Sequence, residues 1–533
     1  MGETATIVDV VDGDTIDVRL DDGSEERVRI IGIDTPETED NADAERRAEW
    51  EGIEDLSYLG RWGNRASEFA KRELTDASVE LEADANEPDR GSFGRLLRYV
   101  RYDRSDGEGQ NEDDDGTDDG STVYNRLAVA EGYARVYDSG FARHDDYLER
   151  ERSAREDGAR VWKRSDPAQS PEIRDSEIER LFVPKAASVR TASGAVSDDR
   201  VPVFASPSAT QSGGEVSYEE RIPLVAVDRE AGVATVGGPL LDERYEEAEG
   251  FAADTSRFGN YPFATNLVGS LSAGAERPER VVVDGGHGQF NADYALSCED
   301  MAYYLRYLEG QDAALTQQND VGEGVDGDAL VVCAPAEAYD ESELSALRSF
   351  VDGGGAVLLL GHGAEGMPAE AREHLNGVAE ALGSDLRLSD DRVVDGESNL
   401  NGDETLPRTS NFGESFDLFG PVTPDAGPSS PLVVSNVDAS GEGDGAGESV
   451  SFANEGDAPV DLSGWTVTDE AGHEYEFPAG TVVPAGATVR LLTGAGDDEV
   501  TVHWGRARSV WNDEGDTVSV YDEAGDLVTE RTY

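Results

Sequence analysis

Acidic and basic residues near the start of the chain have the types and spacing that phosphodiester cleavage requires. The motif Asp12-Gly13-Asp14-Thr15 is followed by Arg29, then by Asp34 and Glu37, and much later by Arg95. Cleavage needs a hard cation held by oxygen ligands, a carboxylate that positions or deprotonates water, and guanidinium groups that bind the phosphate. These residues supply all three kinds of group.

Each fragment alone is weak evidence, because DGDT is common in turns and DTPE is common where strands end. The ordered combination, with an arginine in the intervening strand and a later Gly-Arg pair, is what indicates a site.

Short strands and helices are predicted to position these residues. Segments 8–18 and 27–33 have the composition of strands joined by a turn at 21–23. A helix is predicted over 66–74 and a further strand over 96–102. The acidic, glycine-rich stretch 103–120 is predicted to be a solvated loop.

Over residues 5–163 the chain resembles the staphylococcal nuclease (thermonuclease) family. The resemblance rests on the ordered motifs DGDT, VRIIGIDTPE, FGRLLRYV, NRL and GYARV. It implies a nuclease domain at 1–164, folded as a five-stranded OB-type β-barrel with helices. It also implies Ca²⁺-dependent hydrolysis of DNA and RNA that leaves 3′-phosphate ends.

The resemblance further implies a role for each matching residue. Asp14 and Asp34 would be carboxylate ligands of Ca²⁺, and Thr35 would add its backbone carbonyl. Asp12 matches a family acid near the metal, beyond its direct ligands.

The catalytic roles are implied in the same way. Glu37 would act on the attacking water, as its base or its orienter. Arg29 and Arg95 would contact the phosphate and stabilise the transition state.

Residues 200–420 are predicted to form an α/β domain with a parallel sheet, because buried strands alternate with helices. Linkers are predicted at 165–199 and 421–431. Residues 279–412 resemble class I glutamine amidotransferase-like domains that act non-catalytically in transport and motility assemblies. Cys333 lacks the surrounding Gly-x-Cys-x-Gly motif and is interpreted as a small buried hydrophobic residue.

His287 and His362 each follow a predicted strand of this middle domain. The carboxyl edge of a parallel sheet is where ligands bind in such folds, so the two side chains could converge there, with Asp284 beside His287. They would then give the middle domain its own hydrolase or sensor activity. Polar tips of glycine-rich turns are the favoured alternative.

Residues 432–533 are predicted to be a β-sandwich of short strands. They resemble the lamin-tail domain through segments such as VDLSGW, HWG and VWN. This implies an immunoglobulin-like sandwich that docks the protein to a partner or surface, or tethers its substrate.

The composition bounds the remaining possibilities. The 533 residues include 44 basic and 114 acidic ones, a net charge of −70, and three of the basic residues are lysines. Such a composition resembles proteins of salt-accumulating halophiles, so the charge says little about partners. The two cysteines exclude a disulfide scaffold. No long apolar run or leader is visible, which predicts a cytoplasmic protein, or an extracellular one if the true start lies upstream.

Two functions from different classes follow. The first is a Ca²⁺-dependent nuclease acting on DNA, RNA or both. The alternative is a catalytically silent scaffold that binds nucleic acid or a surface.

Overall fold

The computed structural model describes most of the chain in two compact units, residues 1–422 and 423–533. The residues described are 2–103, 121–167, 171–174, 177–219, 221–272, 277–420, 432–439, 448–454, 459–469, 473–485, 487–494, 501–506, 510–512, 517–521 and 527–532. Most of the predicted loop 103–120 and the predicted linker 421–431 lie outside them.

The N-terminal part of the first unit is a β-barrel with helices packed around it. Its strands are β1 (Glu3–Val10), β2 (Thr15–Leu20), β3 (Glu25–Ile30), β4 (Ile33–Asp34), β5 (Ser78–Glu82), β6 (Leu96–Tyr102), β7 (Thr122–Val123) and β8 (Arg135–Val136). Its helices are α1 (Leu56–Leu74), α2 (Tyr124–Ala130) and α3 (His144–Glu156). The sheet runs β3-β2-β1-β5-β6-β7, and a parallel pairing of β3 with β6 closes the barrel. Strands β3, β2, β1, β5 and β6 form the closed barrel, in agreement with the five-stranded barrel that the family resemblance implies.

The barrel core follows from the two-residue repeat of its strands. In β1, Ala5 and Ile7 are buried by this repeat, and a register shift between Ile7 and Asp9 makes Val10 the next buried residue. The predicted strand 8–18 is two strands, because the Asp12–Asp14 segment turns the chain between β1 and β2. Helix α1 begins ten residues before the predicted helix, where the Asp55 carboxylate caps it by accepting from the Tyr58 amide.

The rest of the first unit contains a large mixed sheet, further short strands and helices. Its strands are β9 (Leu181–Phe182), β10 (Val189–Thr191), β11 (Val203–Phe204), β12 (Thr210–Gly213), β13 (Pro223–Asp228), β14 (Val233–Val236), β15 (Arg280–Asp284), β16 (Ala314–Gln318), β17 (Ala329–Cys333), β18 (Ala356–Leu360), β19 (Leu386–Leu388), β20 (Asp391–Val394), β21 (Asn399–Leu400), β22 (Asp403–Thr409) and β23 (Asn411–Phe412). Its helices are α4 (Asn260–Gly269), α5 (Ala302–Glu309), α6 (Glu341–Asp352) and α7 (Ala369–Ala381).

The large sheet has the order β16-β15-β17-β18-β14-β13-β11-β23. Its pairings are parallel from β16 to β14 and antiparallel from β14 to β23. The prediction of a linker over 165–199 is wrong for its second half. That half contains β9 and β10, and Leu181, Val183 and Val189 are fully buried there, because this segment packs into the core of the middle region.

The second unit is a β-structure. Its strands are β24 (Leu432–Asp438), β25 (Ser449–Asn454), β26 (Val460–Asp461), β27 (Thr466–Thr468), β28 (Glu474–Glu476), β29 (Val482–Val483), β30 (Thr488–Leu492), β31 (Thr501–His503), β32 (Thr517–Tyr521) and β33 (Leu527–Thr532). The sheets β24-β25-β30-β31 and β28-β27-β32-β33 enclose a core that includes Phe452, Phe477 and Trp511. Within the described part of the chain, no helix combines the length and apolarity needed to cross a membrane.

Candidate active site

A buried ion-pair cluster lies where strands β2, β3 and β4 meet. Arg29 on β3 pairs with Asp14 just before β2, with 2.5 Å between Nη1 and Oδ1. The same guanidinium pairs with Asp34 at the end of β4, with 2.7 Å between Nη2 and Oδ1. The cluster follows from register, since Arg29 is directly opposite Thr15 in the β2–β3 pair.

The loop that carries Asp14 is fixed tightly against the end of β4. Oδ2 of Asp14 accepts hydrogen bonds from the amide and the hydroxyl of Thr35, both at 2.9 Å. A Cβ atom at Gly13 would lie 2.7 Å from Cγ2 of Thr35 and 2.9 Å from Cβ of Ala66. Only glycine fits this close approach, which explains the residue between the two aspartates.

Negative charge is crowded in this cluster. Burial opposes the ionisation of Asp14, but Arg29 and the hydrogen bonds from Thr35 and Thr15 lower its pKa overall. Burial and the neighbouring charge of Asp14 raise the pKa of Asp12 to about 7. The cluster therefore holds more carboxylate groups than Arg29 alone neutralises.

The chemistry of the donor set fits a hard divalent cation such as Ca²⁺. Asp14 and Asp34 offer carboxylate oxygens at one place, and the Thr35 backbone lies against Asp14. Among the described residues, no group of three or more acidic, histidine or cysteine side chains is arranged to hold a metal ion. A cation here would therefore keep several water ligands.

Arg95 lies close to the cluster but is not bonded to it. It directly precedes β6, and its guanidinium is 5.6 Å from the ring of Phe93, which is 85% exposed. Burial and the nearby positive charge of Arg29 lower the pKa of Arg95. Arg29 and Arg95 are therefore both candidates to bind an anion.

Glu37 is held beside the cluster rather than in it. Its Oε2 accepts from Nδ2 of Asn41 at 2.5 Å, and its amide donates to the Glu45 carboxylate. No contact joins the Glu37 carboxylate to Arg29, Asp14 or Asp34 within the described residues. Burial raises the pKa of Glu45 to about 7, and sequence reasoning did not single out this residue.

Arg135 on β8 extends the cluster, and the sequence assigned it no role. Its Nε lies 3.2 Å from Oδ2 of Asp34, and its Nη2 lies 3.1 Å from Oε2 of Glu49. Glu299 of the middle region also pairs with it, with 2.5 Å between Oε1 and Nη1. Burial raises the pKa of Glu49 to about 8, although Arg135 favours its ionised form. The motif GYARV contains this arginine and was the one available signal.

The two histidines of the middle region lie in separate environments. Nδ1 of His287 is 2.9 Å from Oδ2 of Asp284, and its Nε2 is 3.3 Å from Glu343. His362 is fully buried beyond β18, and its amide donates to the sulfur of Met367. The described contacts of the two histidines share no residue. Strand β17 lies between β15 and β18, so the two loops begin about 10 Å apart.

Cys333 is fully buried at the end of β17, and burial raises the pKa of its thiol. A protonated, inaccessible thiol is not a nucleophile. Both cysteines of the chain are free and buried.

Comparisons with known proteins match the two ends of the chain. The sequence model of the family described as "Staphylococcal nuclease homologue" matches residues 27–164, and that described as "Lamin Tail Domain" matches residues 426–533. The first match begins at Arg27, so Asp12 and Asp14 lie just before it. Their place in the site rests on the geometry of the barrel.

Individual relatives match a similar part of the chain. An uncharacterized protein of Methanocaldococcus jannaschii is 32% identical over 158 residues, which cover 29% of this chain and 70% of that protein. The thermonucleases of Staphylococcus hyicus and Staphylococcus intermedius are 39% and 38% identical over 98 and 99 residues. These matches cover 18% and 19% of this chain but only 48% and 49% of the thermonucleases. The chain therefore carries a staphylococcal nuclease domain at residues 27–164 and a lamin tail domain at residues 426–533.

Proposed function

We propose that the protein is a metal-dependent nuclease that uses Ca²⁺ to hydrolyse DNA, RNA or both, leaving 3′-phosphate ends. The observation that carries the proposal is the bonding of Arg29, a candidate phosphate ligand, to both Asp14 and Asp34, the candidate cation ligands. This brings candidate cation ligands and candidate phosphate ligands to one place on the barrel.

The two arginines bind the scissile phosphate in this proposal. Arg95 has no ion-pair partner among the described residues, so its N–H groups are available to phosphate oxygens. Arg29 supplies a second, rigidly held guanidinium. Fixed donors aimed at developing negative charge stabilise the transition state of phosphoryl chemistry.

Glu37 positions the attacking water or removes its proton. Its carboxylate is half-buried and bonded to Asn41, and its backbone is fixed at the end of the segment that follows β4. When bound, Ca²⁺ would neutralise phosphate charge and polarise the bond that breaks.

The lamin tail domain is proposed to dock the enzyme or tether its substrate. It belongs to a compact unit of its own, whereas the candidate site lies wholly within the first unit. Cleavage of short substrates should therefore not depend on it.

The test is hydrolysis of single-stranded DNA and RNA oligonucleotides in 1 M KCl, with Ca²⁺ or with EDTA. We expect cleavage with Ca²⁺ alone, and a loss of about 100-fold or more in kcat/KM for Arg95→Ala and for Glu37→Gln. The matched controls are Arg19→Ala and Glu25→Gln, which break an exposed ion pair on the same barrel and should cleave like the wild type. Resistance of the product ends to polymerase extension until phosphatase is added identifies 3′-phosphates.

A folded wild-type protein that cleaves neither substrate with Ca²⁺ would contradict the proposal. The scaffold hypothesis would then be tested by binding of the same oligonucleotides.

A further inference from the structure

The guanidinium of Arg135 joins residues from three parts of the first unit. Arg135 lies opposite Asp34 in the β4–β8 pair, and its side chain is 6% exposed. It binds Asp34 of the candidate cation site, Glu49 of the 3-10 helix Arg47–Glu49, and Glu299 of the middle region. The buried guanidinium of Arg135 therefore pairs with three carboxyl groups.

Asp34 lies between two guanidinium groups. Its Oδ1 faces Nη2 of Arg29 at 2.7 Å, and its Oδ2 faces Nε of Arg135 at 3.2 Å. A carboxylate with two cationic neighbours attracts a further cation less strongly, because the positive charges repel each other. The availability of Asp34 to a metal ion thus depends on how far the charge of Arg135 is offset elsewhere.

Glu299 makes the most extensive contact with Arg135. Its Oε1 lies 2.5 Å from Nη1 and its Oε2 lies 3.1 Å from Nη2, a paired geometry that fixes the plane of the guanidinium. Oε1 also accepts from the amide of Asp138 at 3.2 Å. The Glu299 side chain is 11% exposed, so solvent and salt screen this contact only weakly.

The middle region is held firmly against the barrel beside this contact. The amide of Asn319 donates to Oδ1 of Asp145 at 2.9 Å, and its Nδ2 donates to the carbonyl of Ser139 at 2.7 Å. A cavity of about 270 Å³ borders Glu49, Arg135 and Glu299. Arg135 therefore has room to reorient if the bonds to Glu299 are lost.

We propose that Glu299 of the middle region is a positioning residue of the nuclease site, which holds Arg135 and offsets its charge so that Asp34 stays available to a divalent cation. The middle region then contributes Glu299 to the surroundings of the cation site. The inference rests on the proposed function, since it concerns the same site.

Calorimetric titration of the full chain with Ca²⁺ in 1 M KCl tests the inference. We expect Glu299→Gln to weaken Ca²⁺ binding by about 10- to 100-fold, the usual effect of losing a residue that supports a metal ligand. Glu299→Asp keeps the charge and should bind Ca²⁺ within a few-fold of the wild type. The titrations are made at pH 9, above the pKa of Glu49. There Glu49→Gln removes the other ionised carboxylate on Nη2 of Arg135 and should weaken binding in the same direction.

Asp326→Asn is the control. Asp326 is also an acidic residue of the middle region, and it pairs with Arg152 of the barrel region at 3.3 Å without touching Arg135, Glu49 or Glu299. It should leave the affinity for Ca²⁺ unchanged. Melting temperatures in EDTA confirm that each variant is folded before it is titrated.

The outcomes separate the inference from the proposed function. A wild type that neither binds Ca²⁺ nor cleaves would refute the proposed function, and the inference with it. A wild type that does both, with unchanged affinity in Glu299→Gln, would refute the inference alone. Equal weakening in Glu299→Gln and Asp326→Asn would also refute it, because a general effect of the interface would then suffice. If Glu299→Gln does not fold, an unchanged affinity of Glu49→Gln for Ca²⁺ would refute the inference instead.

Discussion

Glu151 is a buried carboxyl group that packs beneath the strand carrying Arg135. It accepts a hydrogen bond from the amide of Val136, and its Oε1 lies 2.6 Å from Nη2 of Arg155. Burial raises the pKa of Glu151 from 4.5 to about 8, against the smaller, opposite effect of the bond from Val136. The folded protein therefore keeps this carboxyl protonated over a pH range in which the unfolded chain ionises it.

Replacing Glu151 by glutamine should make the free energy of unfolding less dependent on pH. As the pH rises from about 4.5 to about 8, ionisation in the unfolded state destabilises the wild type, and this loss is complete above pH 8. The stability of Glu151→Gln relative to the wild type should therefore rise by up to roughly 5 kcal/mol over this window, at about 1.4 kcal/mol per pKa unit. Urea unfolding at a series of pH values measures the difference.

Glu156→Gln is the control for this prediction, because Glu156 is exposed on the same helix. Its stability relative to the wild type should stay constant with pH. A constant difference for Glu151→Gln as well would mean that the folded protein ionises Glu151.

At the scale of residues, the sequence predicted the local part of the site and missed the distant part. The pairing of Arg29 with Asp14 and Asp34 arises within consecutive strands, so motif order was enough to predict that they meet. Arg135 meets Asp34 across 101 positions and Glu299 across 164. No periodicity or spacing encodes such contacts. The catalytic roles of Arg29, Glu37 and Arg95 stay predictions. So do the roles predicted at the metal ion for Asp14, Asp34 and Thr35 as ligands and for Asp12 beyond them.

Helix α1 fixes the segment that follows β4 by close packing of backbone on backbone. A Cβ atom at Gly63 would lie 2.3 Å from the carbonyl oxygen of Glu37 and 2.4 Å from that of Pro36. The helix therefore approaches this segment to a distance that leaves no room for a side chain. Since the same segment carries Thr35 and Glu37, the position of α1 sets their geometry.

Substituting Gly63 by alanine should reduce cleavage more than it disturbs the fold. The backbone at Pro36 and Glu37 must move, and displacements near 1 Å can cost about 100-fold in rate. We expect a loss of about 10- to 100-fold in kcat/KM, with destabilisation of about 1–3 kcal/mol from overpacking. Oligonucleotide cleavage and thermal unfolding on the same samples measure the two effects.

Gly377→Ala is the matched control, because Gly377 lies inside helix α7 and a Cβ atom there meets nothing within 4 Å. This variant should gain roughly 0.5–1 kcal/mol of stability and cleave normally. Full activity in Gly63→Ala would show that the segment after β4 does not need α1 to hold it.

At the scale of elements, the pattern of apolar residues predicted the positions of strands better than it predicted the boundaries between regions. Strands such as β17 and β18 are continuous apolar runs, which identify buried parallel strands directly. The segment 165–199 begins with prolines and charged residues, a composition that led to the prediction of a linker. Strands β9 and β10 within it are two and three residues long, so the sequence pattern did not reveal them. Such short strands form because the middle region covers them, and their own sequence carries too little pattern to show it.

The whole molecule carries a charge of −70, which opposes the approach of a polyanionic substrate. Basic nucleic-acid-binding proteins lose affinity with salt, because bound counterions are released at each phosphate contact. Here the long-range field has the opposite sign, and salt screens a repulsion. The Debye length falls from about 10 Å at 0.1 M to about 3 Å at 1 M, so the repulsion is mostly removed over this range.

Raising KCl from 0.1 M to 1 M should therefore lower the KM for a single-stranded oligonucleotide, by about tenfold, while kcat changes little. A dinucleotide substrate carries fewer charges and should show a smaller change, which separates long-range repulsion from effects on the site itself. Circular dichroism at each salt concentration gives the folded fraction, because self-repulsion also destabilises the fold at low salt. A KM that rises with salt in fully folded protein would mean that the local attraction of Arg29 and Arg95 outweighs the field of the whole molecule. In that case the acidic surface would serve solubility alone, and substrate capture would be governed by the two arginines.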